Sequence, residues 1–144
     1  MKSSDPPIII EQSFTVSKSR VWSALTDHQK MIQWFFENIP DFKAERGFKT
    51  QFAVHSGDRT FTHLWEITEV VPEEKITYNW KYKEYPGDSF ASFELIEAEA
   101  AVKIRLTLTI VADFPDDVPE FTRESCIGGW NYFLGERLKS YFES

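Results

Sequence analysis

Between Phe48 and Ile110 the chain alternates apolar and polar residues with period two, and this feature most constrains its fold. Phe48, Thr50, Phe52 and Val54 alternate with Lys49, Gln51, Ala53 and His55. Ile76, Tyr78, Trp80 and Tyr82 stand in one phase, with Lys75, Thr77, Asn79 and Lys81 in the other. Ala91, Phe93 and Leu95 alternate with Ser92 and Glu94, and Val102 to Ile110 repeats the pattern around Lys103, Arg105, Thr107 and Thr109. Successive strand side chains point to opposite faces, so each segment predicts a strand with one buried and one wet face. Such alternation marks an antiparallel sheet. Ser56-Gly57-Asp58, Pro72-Glu73-Glu74 and Tyr85-Pro86-Gly87-Asp88 supply turns, and Phe61–Val71 fills the interval after the first of them.

Both ends of the chain read differently. Ile8–Phe14 is short and β-branched at its start, which predicts a strand. Ser17 or Ser19 can cap a helix over residues 18–26, where Val21, Trp22 and Leu25 recur at helical spacing. Asp27 can cap a second helix carrying Met31, Ile32, Trp34 and Phe35, which Asn38 to Pro40 should end. Asp41–Glu45 is counted as an additional strand. Beyond Pro115, residues 119–143 predict one long closing helix with Trp130, Phe133, Leu134, Leu138 and Tyr141 on a stripe. Gly128-Gly129 inside it costs roughly 1 kcal/mol per glycine. A loosened or kinked first half of the helix, or a close approach to the sheet, would account for the pair. One long helix covering the buried face of a curved antiparallel sheet is an α+β arrangement.

The chain of 144 residues fits a single domain over 1–144, with residues 1–7 expected to be disordered. A net charge of −7 argues against nucleic-acid partners, which need clustered Lys and Arg. No apolar stretch approaches the roughly 20 residues that cross a bilayer, so membrane insertion is not expected. The polar Met1–Pro7 segment lacks a signal-peptide core, and the lone Cys126 fits a reducing cytoplasm.

Sequence motifs for chemistry are sparse. Neither a phosphate loop nor a dinucleotide fingerprint is present. His28, His55 and His63 lack metal-ligand spacing, so no metal and no cofactor is expected. His28 and His55 read as surface residues, whereas His63 shares a phase with Trp65 and Ile67 and can reach the interior if that face points inward. Cys126 reads as a buried structural thiol, with a nucleophile as the alternative. Glu66, Glu69 and Glu94 form no assignable acid–base pair, so no catalytic residue is named.

Three segments carry a family resemblance. They are Val21-Trp22-Ser23-Ala24-Leu25-Thr26-Asp27 with Trp34-Phe35, then Glu69-Val70-Val71-Pro72 running into Ile76-Thr77-Tyr78-Asn79-Trp80, and finally Gly129-Trp130 with Leu134 and Leu138. Together they resemble homologues of the activator of the heat-shock-protein-90 ATPase, within the START-like, helix-grip superfamily, across about residues 8–143. Relatives often carry Gly-Thr before the last strand and Thr-His within it, where this chain has Ala101-Val102 and Thr107-Leu108. The resemblance implies a long helix gripped by a curved sheet around a hydrophobic cavity.

With thirteen Phe, five Tyr and five Trp, the rings either fill that space or wall a pocket. The candidate ligand-binding residues are Trp34 and Phe35 after the first strand, and Phe52, Trp65, Tyr78, Trp80, Phe93 and Leu106 on the sheet. Trp130, Phe133 and Leu134 complete the set from the closing helix. The expected function is binding of a small apolar or aromatic ligand. Alternatives are an aromatase- or cyclase-type enzyme using His63 and Tyr78, and a co-chaperone-like interaction domain with an unknown protein partner.

Overall fold

Six strands form one sheet in the computed structural model, which describes residues 1–144. They are β1 (Ile8–Phe14), β2 (Lys49–Ser56), β3 (Arg59–Val71), β4 (Lys75–Tyr82), β5 (Asp88–Ala98) and β6 (Ala101–Ala112). Their spatial order is β1-β6-β5-β4-β3-β2, and every neighbouring pair is antiparallel. β1 closes onto β6, with Ile8 opposite Leu108 and Phe14 opposite Val102. Between Ile67 and Glu69 the register of β3 against β4 slips by one residue, leaving Thr68 as a bulge. Its hydroxyl donates to the Thr77 carbonyl at 3.2 Å. Such an insertion increases local twist and helps bend a sheet.

The alternation sorts the faces as its period dictates. Trp65, Ile67, Tyr78, Phe93, Ile104 and Leu106 point inward and are at most 2% exposed. Lys103 and Arg105 point outward and share Glu11 at 3.4 and 2.6 Å, an exposed network of small energetic weight.

Two short helices follow β1. Ser17 Oγ accepts from the Arg20 N–H at 3.2 Å and starts α1 (Lys18–Thr26). Asp27 ends that helix through its own N–H on the Ser23 carbonyl, and its carboxylate then caps α2 (His28–Trp34) at Gln29. α2 stops at Trp34, earlier than the Asn38–Pro40 boundary expected from the proline. Phe35 leaves the helical region at φ −99°, ψ −140°. Its ring stacks on Trp34 with centroids 4.7 Å apart, so core packing sets the boundary before the proline does.

Asp41–Glu45 is not a strand. Phe42 turns into the core and its N–H bonds the Asp41 carboxylate at 2.8 Å, which holds a local turn instead of a ladder. Pairing begins only at Gly47, whose φ of +89° suits glycine and whose N–H reaches the Ile67 carbonyl at 2.7 Å.

The closing helix is also more structured than expected. Pro119–Phe121 is a separate 3₁₀ turn, and Thr122 caps α3 (Arg123–Trp130). The helix then widens into a π-helical stretch, Asn131–Leu138, and returns to α in α4 (Lys139–Glu143). A Cβ added at Gly128 or Gly129 would meet nothing within 4 Å, so close approach to the sheet does not explain them. The helix is regular α through the pair, and the π-helical widening lies in its second half, beyond Trp130, and not in the first half as expected. Residues 1–7, expected to be disordered, are tied down. Ser3 N–H bonds Asp113 at 2.7 Å, Phe114 N–H bonds the Met1 carbonyl at 2.9 Å, and Arg123 holds the Pro6 and Pro7 carbonyls.

Candidate functional site

Midway along the helix the space against the sheet is filled. Trp34, Phe35, Trp65, Tyr78, Phe93, Leu106 and Leu134 are each at most 2% exposed. Phe35 sits at the centre, with its ring 5.5 Å from Trp65, 5.8 Å from Trp130 and 5.0 Å from Phe133. Trp34 Nε1 donates to the Ala24 carbonyl at 2.8 Å, which fixes the indole against α1. Phe52 stacks on His63 at 4.9 Å. These eight expected ligand contacts are packed as core, and none of them lines the space between the helix and the sheet.

An open space survives at one end, where α3 and the 3₁₀ turn cross β3 and β4. It is a solvent-open cleft of about 130 Å³. Of the residues expected from the sequence, Trp80, Trp130 and Phe133 line it. His63, Tyr82 and Cys126 join them. A smaller cavity of about 50 Å³ adjoins between Trp80, Leu108 and Phe114, and Met1 borders both. Trp80 and Trp130 face each other edge to face at 5.3 Å, so strand and helix each contribute one indole wall. Tyr82 carries a readable signal, since it shares the phase of Tyr78 and Trp80. Phe36, Phe121 and Met1 carry none, because irregular chain brings them there.

His63 is the main polar group of this wall. It is 5% exposed, and its Nδ1 lies 3.0 Å from the Phe61 carbonyl. A carbonyl can only accept, so Nδ1 carries the proton and Nε2 keeps a free lone pair. Nε2 has no partner within the protein. Burial pulls the imidazole pKa down to about 4, against smaller opposing effects of the Phe61 carbonyl and Glu84. The ring is neutral at physiological pH. Tyr82 Oη accepts from Trp80 Nε1 at 2.9 Å and retains its own proton, and burial pushes its pKa upward. Its ring meets His63 edge to face at 4.8 Å. Burial also pushes the Cys126 thiol up to about 11, which leaves it protonated and a poor nucleophile. Glu120 lines the mouth and accepts from Ser56 Oγ at 2.7 Å, a bond that holds its carboxyl below the usual range.

Tyr78 does not reach the cleft, so the His63–Tyr78 pair considered for catalysis does not share a cavity. His55 is exposed beside Thr60. His28 is half-buried, and its Nε2 lies 2.6 Å from the Ile39 carbonyl, which ties α2 to the following loop. A larger depression of about 320 Å³ lies on the outer face of β2–β4 among Lys49, Gln51, Glu66, Asn79 and Lys81. It is a polar groove between outward side chains and contains none of the cleft's groups. No helix is long and apolar enough to cross a membrane.

A long C-terminal helix held by a curved six-stranded antiparallel sheet, with two short helices after the first strand, defines a helix-grip protein of the α+β class. The chain belongs to the family described as activator of Hsp90 ATPase homolog 1-like protein, which matches residues 15–143. It is 27% identical over 135 residues to the mouse (Mus musculus) activator of 90 kDa heat shock protein ATPase homolog 1, and 26% identical to the human (Homo sapiens) protein. Each match covers 94% of this chain and 36% of the relative, so the chain spans about a third of these relatives' length. Among solved structures it is similar to protein CV1439 from Chromobacterium violaceum, with TM-score 0.77, 20% identity and coverage of 96% and 97% of the two chains. CalU16 from Micromonospora echinospora superposes with TM-score 0.67 at 23% identity, over 94% of this chain and 73% of that one. These structural likenesses concern the fold.

Proposed function

We propose that this protein binds a small apolar or aromatic molecule in the cleft between the start of the C-terminal helix and the sheet. The observation that carries this reading is the pair of indole walls, Trp80 and Trp130, around about 130 Å³ of space. Apolar clefts with a few convergent polar groups are the usual form of small-molecule sites. The volume restricts the occupant. An engineered cavity of roughly 150 Å³ admits benzene, so this cleft suits one ring and not a fused polycycle. A reducing cytoplasmic setting accords with the single cysteine.

Toluene and related single-ring compounds test this directly. Binding should change tryptophan emission saturably and raise the melting temperature, with about 2.7 kcal/mol of added stability at a hundredfold excess over Kd. Trp130→Phe should weaken binding while changing the melting temperature little. Unchanged emission and melting across a panel of single-ring compounds would refute the reading.

The curated relatives' names favour a second reading, contact with a heat-shock-protein-90 chaperone through the outer surface. Added chain should then stimulate the chaperone's ATPase, and absence of both binding and stimulation removes that reading.

A further inference from the structure

We propose that the cleft selects a neutral single-ring alcohol of the phenol class, whose hydroxyl donates to His63 Nε2 and accepts from Tyr82 Oη. The inference rests on the binding reading above and adds the chemical class of the ligand. Nδ1 of His63 is committed to the Phe61 carbonyl at 3.0 Å, so the ring presents only an acceptor to a ligand. Tyr82 Oη already accepts from Trp80 Nε1 at 2.9 Å, which directs the remaining phenolic proton elsewhere. The two groups line the same cleft and do not bond each other. One acceptor and one donor side by side match a hydroxyl, which is both donor and acceptor. A ligand lacking that group leaves the His63 Nε2 lone pair and the Tyr82 hydroxyl proton unpaired once water is displaced, and unpaired polar groups are what make such sites reject the deficient analogue.

Charge narrows the class further. No lysine or arginine lines the cleft, and the Glu120 carboxylate at its mouth is paired with Arg59 at 3.5 Å. The Met1 ammonium nearby is bonded to the Phe121 carbonyl at 3.1 Å. A ligand carboxylate would meet the His63 lone pair, which cannot donate to it, whereas a neutral hydroxyl supplies the proton that this acceptor lacks. The apolar remainder of the ligand lies between Trp80 and Trp130, whose 5.3 Å edge-to-face arrangement offers a ring both a face and an edge.

Calorimetric titration of the whole chain with p-cresol, toluene, 4-methylanisole and p-hydroxybenzoate tests the proposal. p-Cresol should bind more tightly than 4-methylanisole, in which methylation removes the donor, and p-hydroxybenzoate should bind least. His63→Phe keeps a ring stacked on Phe52 but has no acceptor. In this variant the preference for p-cresol over toluene should fall roughly tenfold, the scale of one hydrogen bond. Tyr82→Phe should lower the same ratio. If wild-type protein binds 4-methylanisole as well as p-cresol, the inference is overturned while the binding reading stands. An unchanged ratio in a folded His63→Phe variant overturns it equally. If none of the four compounds binds, the binding reading fails and takes this one with it. The wild-type ligand series decides the matter even if the variants do not fold.

Discussion

His63 should make stability fall with acid over a window in which few other groups titrate. In the unfolded chain its imidazole has the ordinary pKa of 6.5, and in the fold burial pulls it to about 4. Between those values the unfolded state binds the extra proton and the native state does not, so acid favours unfolding. The loss begins as pH drops through 6.5 and levels off below about 4. Each pKa unit corresponds to about 1.36 kcal/mol, so lowering the pH from 7.5 to 4.5 should cost roughly 2.5 kcal/mol. The shifted carboxyls, Glu11, Glu84, Asp113 and Glu120, are all held below their usual values. Their contributions disappear only as pH falls below about 4.5, beneath the window. Urea unfolding of the wild type and of His63→Phe at pH 4.5, 5.5, 6.5 and 7.5 isolates the effect. The wild type should lose roughly 2.5 kcal/mol more than the variant between pH 7.5 and 4.5, whichever of the two is the more stable at neutral pH. Parallel curves would mean that the imidazole is solvated or already charged in the native state, and the assignment of Nε2 as a free acceptor would fall with it.

Leu134 is fully buried under the π-helical stretch, and Leu134→Ala should cost about 3–5 kcal/mol in urea unfolding. Gly87 sits at φ +120° with its α-carbon against the Phe114 ring, so Gly87→Ala should destabilise by more than about 1 kcal/mol in a thermal melt. The Cys126 thiol, pushed up to about 11, should react with a disulfide reagent at pH 8 far more slowly than free cysteine, and at the ordinary rate once the chain is unfolded.

The sheet was legible because period two is a property of the strand itself. Phase alone put Tyr78 and Trp80 on one face of their strand and Lys81 on the other, while the face of His63, Trp65 and Ile67 stayed conditional until the pairing of β3 with β4 fixed it. The caps Ser17 and Asp27 were equally readable, since each satisfies orphan N–H groups within three residues of itself. Errors arose where tertiary packing decides. Phe35 breaks α2 to stack in the core, Phe42 turns Asp41–Glu45 inward, and local propensity records neither. The candidate site was half legible for the same reason. Which aromatic residues face inward follows from the sequence, but which of them touch empty space depends on how Phe35 fills the middle. Trp80, Trp130 and Phe133 touch Phe35 and also border the cleft toward the 3₁₀ turn, whereas Trp34 and Leu134 line no part of it. His63 could be placed in the phase of Trp65 and Ile67, but that this phase faces inward, and the tautomer set by the Phe61 carbonyl, come from the fold.

The pairing of β1 with β6 has a kinetic consequence. Ile8 meets Leu108, so during synthesis β1 must wait for a partner made about a hundred residues later. At roughly 5–20 residues per second, that interval lasts on the order of 5–20 seconds. β2 to β6 pair with chain neighbours through short turns and can form while β1 is still unpaired. Closing the long loop back to β1 is entropically costly, so this step should come late and slow the folding rate as non-local topology does. Until then β6 presents an unpaired edge of twelve residues, Ala101–Ala112. That edge is where a nascent or partly unfolded chain is open to pairing with another copy.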